Sequence, residues 1–180
     1  MLTDRDKIIL ETLRQRTLPV LQELANVPDN CCILASRVGQ EVLRHYKLAA
    51  QCLCVDLIVQ TAEARVVVGA QRPTIPQPGV FYGHIVLWAG SAILIDLTLK
   101  QAAHVDETLT AVMFELRDLE IMNTEHGTAI TLPSGTHVGY RRSKNTSWRF
   151  MPDWTERPRR NPAIQQLIHE VDEQLVTAGL

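Results

Sequence analysis

The stretch GHIVLWAGSAILIDLTL, residues 83–99, decides the fold that we expect for this chain. Two apolar runs flank the small residues 89–91, and this pattern predicts a β-hairpin with Gly90 in its turn. His84 and Asp96 are its two side chains that are most costly to bury. If the loop consists of residues 89–91, His84 faces Asp96 directly, with Cβ atoms about 4.5–5.5 Å apart. A two-residue loop would instead place the pair on opposite faces of the sheet.

A second segment, residues 27–46, predicts a nucleophile for the imidazole. Asp29 or Asn30 can cap a helix that runs from about Cys31 to Tyr46. A cysteine in the first turn of such a helix lies near backbone N–H groups that have no partner. Their partial positive charge favours the thiolate, which is the reactive form of the side chain.

Helical periodicity distinguishes the two adjacent cysteines. Cys31 shares its helix face with bulky apolar residues, which is typical of a small core residue. Cys32 shares its face with Ser36 and Gly39, whose small side chains allow the helix to approach a sheet closely. We therefore predict Cys32 as the nucleophile. His84 would be its base, and Asp96 would orient the imidazole.

The remaining pattern predicts an α+β fold with a mostly antiparallel sheet. Apolar periodicity indicates a helix over residues 3–25, interrupted or kinked at Pro19, and a final helix from Asn161. Strands are expected between these helices, with a proline-rich loop at 71–80; residues 109–132 favour strand over helix. The strand segments are 51–60, 64–70, 83–99, 134–142 and 146–152. We expect one domain over 1–180, comprising an N-terminal helical segment (1–26), a catalytic-type core (27–142) and a C-terminal extension with a helix (143–180).

Composition limits the classes of function. The chain has 180 residues, 46% of them hydrophobic and 21% charged, with a net charge of -2. These values favour a globular protein, and they make nucleic acid an unlikely partner. The N-terminus has no apolar run of a signal peptide or a membrane span, so we expect a cytoplasmic protein with reduced cysteines and no membrane partner. We expect no metal, because the cysteines lack ligand spacing, and no cofactor.

Two late features of the chain are less specific. Six arginines, which we interpret as a solvated face, are Arg141, Arg142, Arg149, Arg157, Arg159 and Arg160. The aromatic residues Trp148, Phe150 and Trp154 favour a small satellite core under the last helix over a rim for substrate. Exposed strand edges would permit a homodimer.

The motifs in residues 30–105 resemble those of known cysteine enzymes. NCCILASR, then GHIVLWAG and ILIDLTLKQA, is similar to the core of transglutaminase-like and papain-like enzymes, in which the order is Cys, His, Asp. The chain is more similar to short bacterial proteins of unassigned function with an Asn-x-Cys-Ile-x-x-Ser/Thr-Arg motif, matched by residues 30–37. Their Gly-His and Asp-x-Thr-x-x-Gln motifs are matched by 83–84 and 96–101. The resemblance implies a thiol at the start of a helix that packs on an antiparallel sheet.

The resemblance also implies supporting residues. Papain-like enzymes usually place a glutamine before the nucleophile to hold the oxyanion, and none precedes Cys32 nearby. Asn30, or the Cys32 backbone N–H, could take that role, with Gln101 as a further supporting residue. The residues that could line a substrate cleft are Tyr82, Trp88 and Ser36.

Two functions remain open on the sequence alone. The first is a cysteine enzyme that cleaves or transfers an acyl group from an amide or thioester, on a peptide or a small acyl-type substrate. Arylamine acetyltransferases use a similar thiol triad, so acyl transfer stands beside hydrolysis. The second is a non-catalytic binding module that keeps the fold and docks a partner through the arginine-rich tail or the proline loop.

Overall fold

The α+β prediction is confirmed by a computed structural model, in which helices pack against a curled antiparallel sheet. The structure describes residues 2–69, 81–90, 92–116, 122, 127–156 and 161–180. The helices are α1 (Asp4–Ala25), α2 (Cys32–His45), α3 (Pro152–Thr155) and α4 (Asn161–Thr177). The strands are β1 (Ala50–Gln60), β2 (Arg65–Val68), β3 (His84–Ala89), β4 (Ile93–Asp96), β5 (Val112–Glu115), β6 (Thr128–Thr131) and β7 (His137–Arg142). Two short 3₁₀ helices span Leu99–Ala102 and Ser147–Phe150.

The seven strands form one sheet in the order β5-β4-β3-β1-β7-β6, and β2 pairs with the far end of β1. Every pairing is antiparallel. β1 is the longest strand, and it joins the hairpin on one side to β7 on the other. The sheet thereby brings the start of β3, near residue 84, and β7, near residue 140, to one region of the fold.

The register of the β3–β4 hairpin differs from our prediction. Leu87 pairs with Ile95 and Ala89 with Ile93, so the loop comprises residues 90–92 rather than 89–91. Continued along the strands, this register places Asp96 diagonally across from His84 instead of directly opposite. Both side chains still share one face, because a loop of three residues preserves the alternation wherever it starts. The prediction of a direct cross-strand pair was therefore wrong, and the prediction of a shared face is confirmed.

The helices begin close to the expected residues, with two differences. Thr3 caps α1 in a capping box with Asp6, and Pro19 lies within a single continuous helix. The N-cap of α2 is Cys31, without a side-chain hydrogen bond, so neither Asp29 nor Asn30 caps this helix. Asp29 instead accepts a hydrogen bond from Gln22 at the end of α1.

The late segments also differ in part from the sequence prediction. Residues 146–152, predicted as extended, contain the 3₁₀ helix Ser147–Phe150 and the start of α3. Residues 109–132 contain β5 and β6, as expected, with 117–121 and 123–126 outside the described residues. The proline-rich segment 71–80 also lies outside them.

The sheet separates two cores. Alternate residues of β3 and β4, such as Leu87 and Ile95, pack with α1, α2 and α4. The intervening residues, such as Val86, Trp88 and Leu94, pack inside the curl with β1 and β7. His84 and Asp96 belong by alternation to this inner face, so the pair lies in the interior of the curled sheet.

A glycine allows α2 to lie close to β3. A Cβ atom added at Gly39 would lie 2.7 Å from Leu87 Cδ1 and 3.1 Å from Leu97 Cδ1, and both leucines are buried. Ser36, on the same helix face, donates a hydrogen bond to the backbone oxygen of Ile85 at 3.1 Å. The small-residue face predicted for α2 is thus the face that meets the sheet.

We predict that Gly39→Val destabilises the fold. Its side chain would enter a filled space, and overpacking of this kind costs about 1–3 kcal/mol. Urea denaturation followed by circular dichroism measures the loss. Arg44→Ala, at an exposed position of the same helix, is the control and should change the free energy of unfolding by less than about 0.5 kcal/mol. An unchanged midpoint in Gly39→Val would contradict the close approach.

Candidate active site

His84 and Asp96 form a buried pair at the inner face of the sheet. His84 Nε2 lies 2.8 Å from Asp96 Oδ2, and both side chains have 0% exposure. β3 supplies the imidazole at its first residue and β4 supplies the carboxylate at its last. Because Nε2 faces the carboxylate, the other ring nitrogen, Nδ1, is directed away from it.

Asp96 accepts hydrogen bonds from two further donors. The backbone N–H of Thr98 donates to Oδ1 at 3.0 Å, and the hydroxyl of Tyr140 on β7 donates to Oδ2 at 3.0 Å. A buried carboxylate is costly unless its oxygens are hydrogen-bonded. These donors, together with the imidazole, explain how an ionised Asp96 can occupy a dry position.

Cys32 is the first residue of α2, and its side chain lies near enough to His84 to contribute to the raised pKa of the imidazole. The thiol is 5% exposed and lies at the wall of a cleft of about 570 Å³. The structure thus brings the three predicted side chains together, with Cys32 in the cleft wall and His84 and Asp96 buried behind it. The lining residues are Asn30, Cys32, Ile33, Val68, Phe81, Gly83, Gln101, Met151, Pro152 and Asp153.

Gln101 reaches the same imidazole from the 3₁₀ helix that follows β4. Its Nε2 atom lies 2.5 Å from His84 Nδ1. An amide can present either its N–H or its oxygen, so Gln101 can bind Nδ1 in both protonation states of the ring. The glutamine therefore supports the imidazole directly.

The surroundings of His84 favour its protonated form. Burial by itself lowers the pKa of an imidazole. The charge of Asp96, its hydrogen bond and the hydrogen bond with Cys32 outweigh burial and raise the pKa of His84 to about 10. The ring can therefore carry a positive charge beside the sulfur at neutral pH.

Two other cysteines have environments that disfavour thiolate. Burial raises the pKa of Cys31 to about 12, and burial also raises the pKa of Cys52 to about 12. Cys31 packs in the core between the helices and the sheet, as its helix face predicted. Neither side chain is placed against an imidazole partner of the kind that Cys32 has.

Of the other predicted site residues, some line the cleft and others are buried away from it. Asn30 lines the cleft and is exposed, whereas Ser36 is buried in the contact between α2 and β3. Trp88 packs in the inner core. Tyr82 is half-buried, and its backbone oxygen accepts a hydrogen bond from the Asn145 side chain. The cleft wall instead uses residues on either side of Tyr82, namely Phe81 and Gly83.

The aromatic residues near 150 form one support of the cleft. Trp148 is buried, and its ring meets that of Trp154 edge-on, with centroids 4.4 Å apart. Both pack with Ile33 near the start of α2 and not under α4, where we expected a satellite core. Arg37 of α2 stacks over Trp154 at 4.4 Å, and Phe150 points outward, with 83% exposure. This cluster holds residues 151–153 against the Cys32 cleft.

Sequence reasoning missed Tyr140 and the wall residues Phe81 and Met151. In the sequence, Tyr140 is recognisable only as an aromatic residue of a predicted strand, because no short motif links it to Asp96. Met151 was hidden by the incorrect extended prediction for 146–152. Alternation along β7 could have placed Tyr140 on a sheet face, but only the strand order shows which face.

The described ranges contain neither a metal-binding cluster nor a membrane-spanning helix. No group of three or more His, Cys, Asp or Glu side chains there could hold a metal ion. No helix in that part of the chain has the length and apolar character needed to cross a bilayer.

Comparison with known proteins supplies a fold relative alone. No family model and no curated protein matches the chain. A solved crystal structure, described as "genomics APC5867", is similar with a TM-score of 0.57 and 18% sequence identity. The similarity covers 91% of this chain and 78% of that chain. At this identity the likeness shows a shared fold and does not extend to function.

We predict that Asp96→Asn lowers the pKa of His84 from about 10 to below its ordinary value near 6.5, because burial then acts without the carboxylate. In the wild type, the raised pKa contributes stability that is complete below about pH 6.5 and is lost as pH rises through about 10. The free energy of unfolding, measured from pH 6 to 10.5, should therefore fall more steeply in the wild type than in Asp96→Asn.

The control for this comparison is Asp172→Asn, which removes a carboxylate that accepts from Tyr46 elsewhere in the fold. It should keep the wild-type slope over the same pH range. Parallel slopes for the wild type and Asp96→Asn would contradict the charged pair.

Proposed function

We propose that this protein is a cysteine-nucleophile enzyme that acts on an amide or thioester bond through Cys32, His84 and Asp96. The observation that carries the proposal is a buried imidazole–carboxylate pair beside the thiol of Cys32, which lines an open cleft. The histidine is held by Asp96 and Gln101 at its two ring nitrogens, and it also interacts with the thiol of Cys32. The order Cys, His, Asp and a thiol at a helix start also support a core of the transglutaminase-like or papain-like type.

The first step forms a thioester on the enzyme. His84 holds the proton of Cys32 as an imidazolium, and the thiolate attacks the acyl carbon of the substrate. The new S–C bond gives a tetrahedral oxyanion. The imidazolium then gives its proton to the leaving amine or thiol as the C–N or C–S bond breaks. Asp96 holds Nε2 throughout and stabilises the positive ring.

The second step releases the acyl group. Water, or an acceptor amine or thiol, attacks the thioester while His84 takes the proton of the attacking group. The S–C bond breaks, and the thiolate–imidazolium pair is restored. Hydrolysis and acyl transfer share all protein groups, so the acceptor that reaches the cleft decides between them.

Donors for the oxyanion are available at the start of α2. The first N–H groups of a helix have no partner within it, so the Cys32 backbone N–H can donate to the developing charge. Asn30 lines the same cleft and offers a side-chain amide. Because Gln101 binds His84, we assign the oxyanion to these two groups and assign Gln101 to support of the base.

The cleft supports a peptide or a small acyl-type substrate with an apolar group. Its walls include Ile33, Val68, Phe81 and Met151, and such side chains favour contact with apolar surface. The substrate class therefore rests on the apolar wall beside the sulfur.

We predict that Cys32 reacts with iodoacetamide at pH 6–7 at least about 10-fold faster than the other cysteines, because the thiolate is the reactive form and an imidazolium stabilises it. Tryptic mass spectrometry reads the rate at each thiol. His84→Ala should remove the enhancement. With p-nitrophenyl acetate or an acyl thioester, the wild type should form an acetyl or acyl adduct on Cys32.

A Cys32→Ser variant removes the nucleophile itself, and Cys52→Ser is its matched control. It removes a thiol whose environment disfavours thiolate and should keep both the fast labelling and the adduct. Slow, equal labelling of all four cysteines, with no adduct, would contradict the enzyme proposal and favour a binding module that retains the fold.

A further inference from the structure

One oxygen of Asp96 serves two donors from different strands. Oδ2 lies 2.8 Å from His84 Nε2 and 3.0 Å from the hydroxyl of Tyr140. The backbone N–H of Thr98 occupies the other oxygen, Oδ1, at 3.0 Å. The imidazole therefore shares the carboxylate with Tyr140, which donates a hydrogen bond to the same oxygen that faces the ring.

Tyr140 keeps its proton at every pH at which the site works. Its side chain is buried, with 1% exposure. Burial, the charge of Asp96 and the hydrogen bond to it raise the pKa of Tyr140 well above its ordinary value. The hydroxyl is therefore always a donor to Asp96, and its pull on the carboxylate does not vary with pH.

A second donor weakens the hold of a carboxylate on the first. Each hydrogen bond draws negative charge toward its own donor, so less charge remains to stabilise the neighbouring cation. This effect is strong in a dry site, where no water screens the charges. We propose that Tyr140 is a positioning residue that acts on His84 through Asp96, sharing the oxygen that the imidazole uses and limiting how firmly the carboxylate holds the ring proton.

The catalytic role of Tyr140 rests on the proposed function, whereas its effect on the titration of His84 does not. In the proposed reaction, His84 takes a proton from Cys32 and then gives it to the leaving group. A fully buried carboxylate with no other donor would hold the imidazolium strongly and slow that second transfer. Tyr140 limits how strongly Asp96 stabilises the imidazolium, so the imidazole can both accept and donate a proton.

The titratable groups around the pair are few in the part of the chain that the structure describes. Asp96 on β4 and Cys32 on α2 are the groups that influence the charge of His84. Tyr140 on β7 faces Asp96, and Gln101, which does not titrate, faces Nδ1. A shift in the titration of His84 after a change at Tyr140 can therefore be read through Asp96.

The experiment is an NMR titration of His84 between pH 4 and 12, using ¹⁵N-labelled histidine. It is performed in a Cys32→Ser background, so that it does not depend on catalysis, and His84→Gln assigns the signal. Tyr140→Phe keeps the ring that packs on Phe114. We expect this change to raise the pKa of His84 by about 0.5–1, a fraction of one charge-assisted hydrogen bond.

The direction of the shift separates the proposal from a purely structural role. If the hydroxyl of Tyr140 only anchors Asp96, its loss loosens the carboxylate and the pKa of His84 falls. If the hydroxyl has no influence, the pKa does not move. Either result overturns the inference. In an Asp96→Asn background, where there is no charge to share, Tyr140→Phe should leave the titration unchanged, and an equal rise there would also overturn it.

Tyr46→Phe is the matched control. Tyr46 also donates its hydroxyl to a carboxylate, that of Asp172, at 2.8 Å, and it joins α2 to α4 away from the cleft. The control should cost similar stability and leave the pKa of His84 unchanged. Thermal unfolding of both variants provides that comparison.

A second measurement keeps the test decisive if Tyr140→Phe does not fold. The chain has three tyrosines, so fluorotyrosine can be placed at position 140 alone after Tyr46→Phe and Tyr82→Phe. Fluorination strengthens the donor with little change of shape, and we expect the pKa of His84 to fall. A rise or no change would overturn the proposal. Slow labelling of Cys32, by contrast, would count against the enzyme function alone.

Discussion

The buried contact between His84 and Asp96 is the constraint on which the rest of the site depends. An imidazole and a carboxylate with no exposure lose the solvation of water, and hydrogen bonds must replace it. β3, β4 and β7 and the turn after β4 each contribute a group to that requirement. The inner face of the sheet must therefore form before this charge pair can be satisfied.

The close contact of α2 with the sheet places a thiol beside this pair. Gly39 and Ser36 let the helix lie against β3, and that position fixes where the helix begins. Cys32 follows from this placement as the first helical residue, beside His84 and at the wall of the cleft. Cys31, one residue earlier and equally buried, packs instead between the helices and the sheet, so helix phase places Cys32 rather than Cys31 beside the imidazole.

Several parts of this arrangement could be predicted because they depend on short-range periodicity. The shared face of His84 and Asp96 survived an incorrect register, since moving the loop by one residue shifts each partner by two positions and preserves alternation. The contact face of α2 followed from spacing alone. The capping prediction for Asp29 failed for a different reason, because a contact with Gln22 engages that side chain.

The sequence by itself determined which residues share a strand face or a helix face, because backbone geometry repeats every two residues or every 3.6. It thereby determined the fold class and the candidate set of Cys32, His84 and Asp96. Only the tertiary structure decided that Tyr140, 44 positions from Asp96, donates to the same oxygen, and that residues 151–153 wall the cleft. Such contacts depend on strand order and on packing between distant segments, and local periodicity carries no record of either.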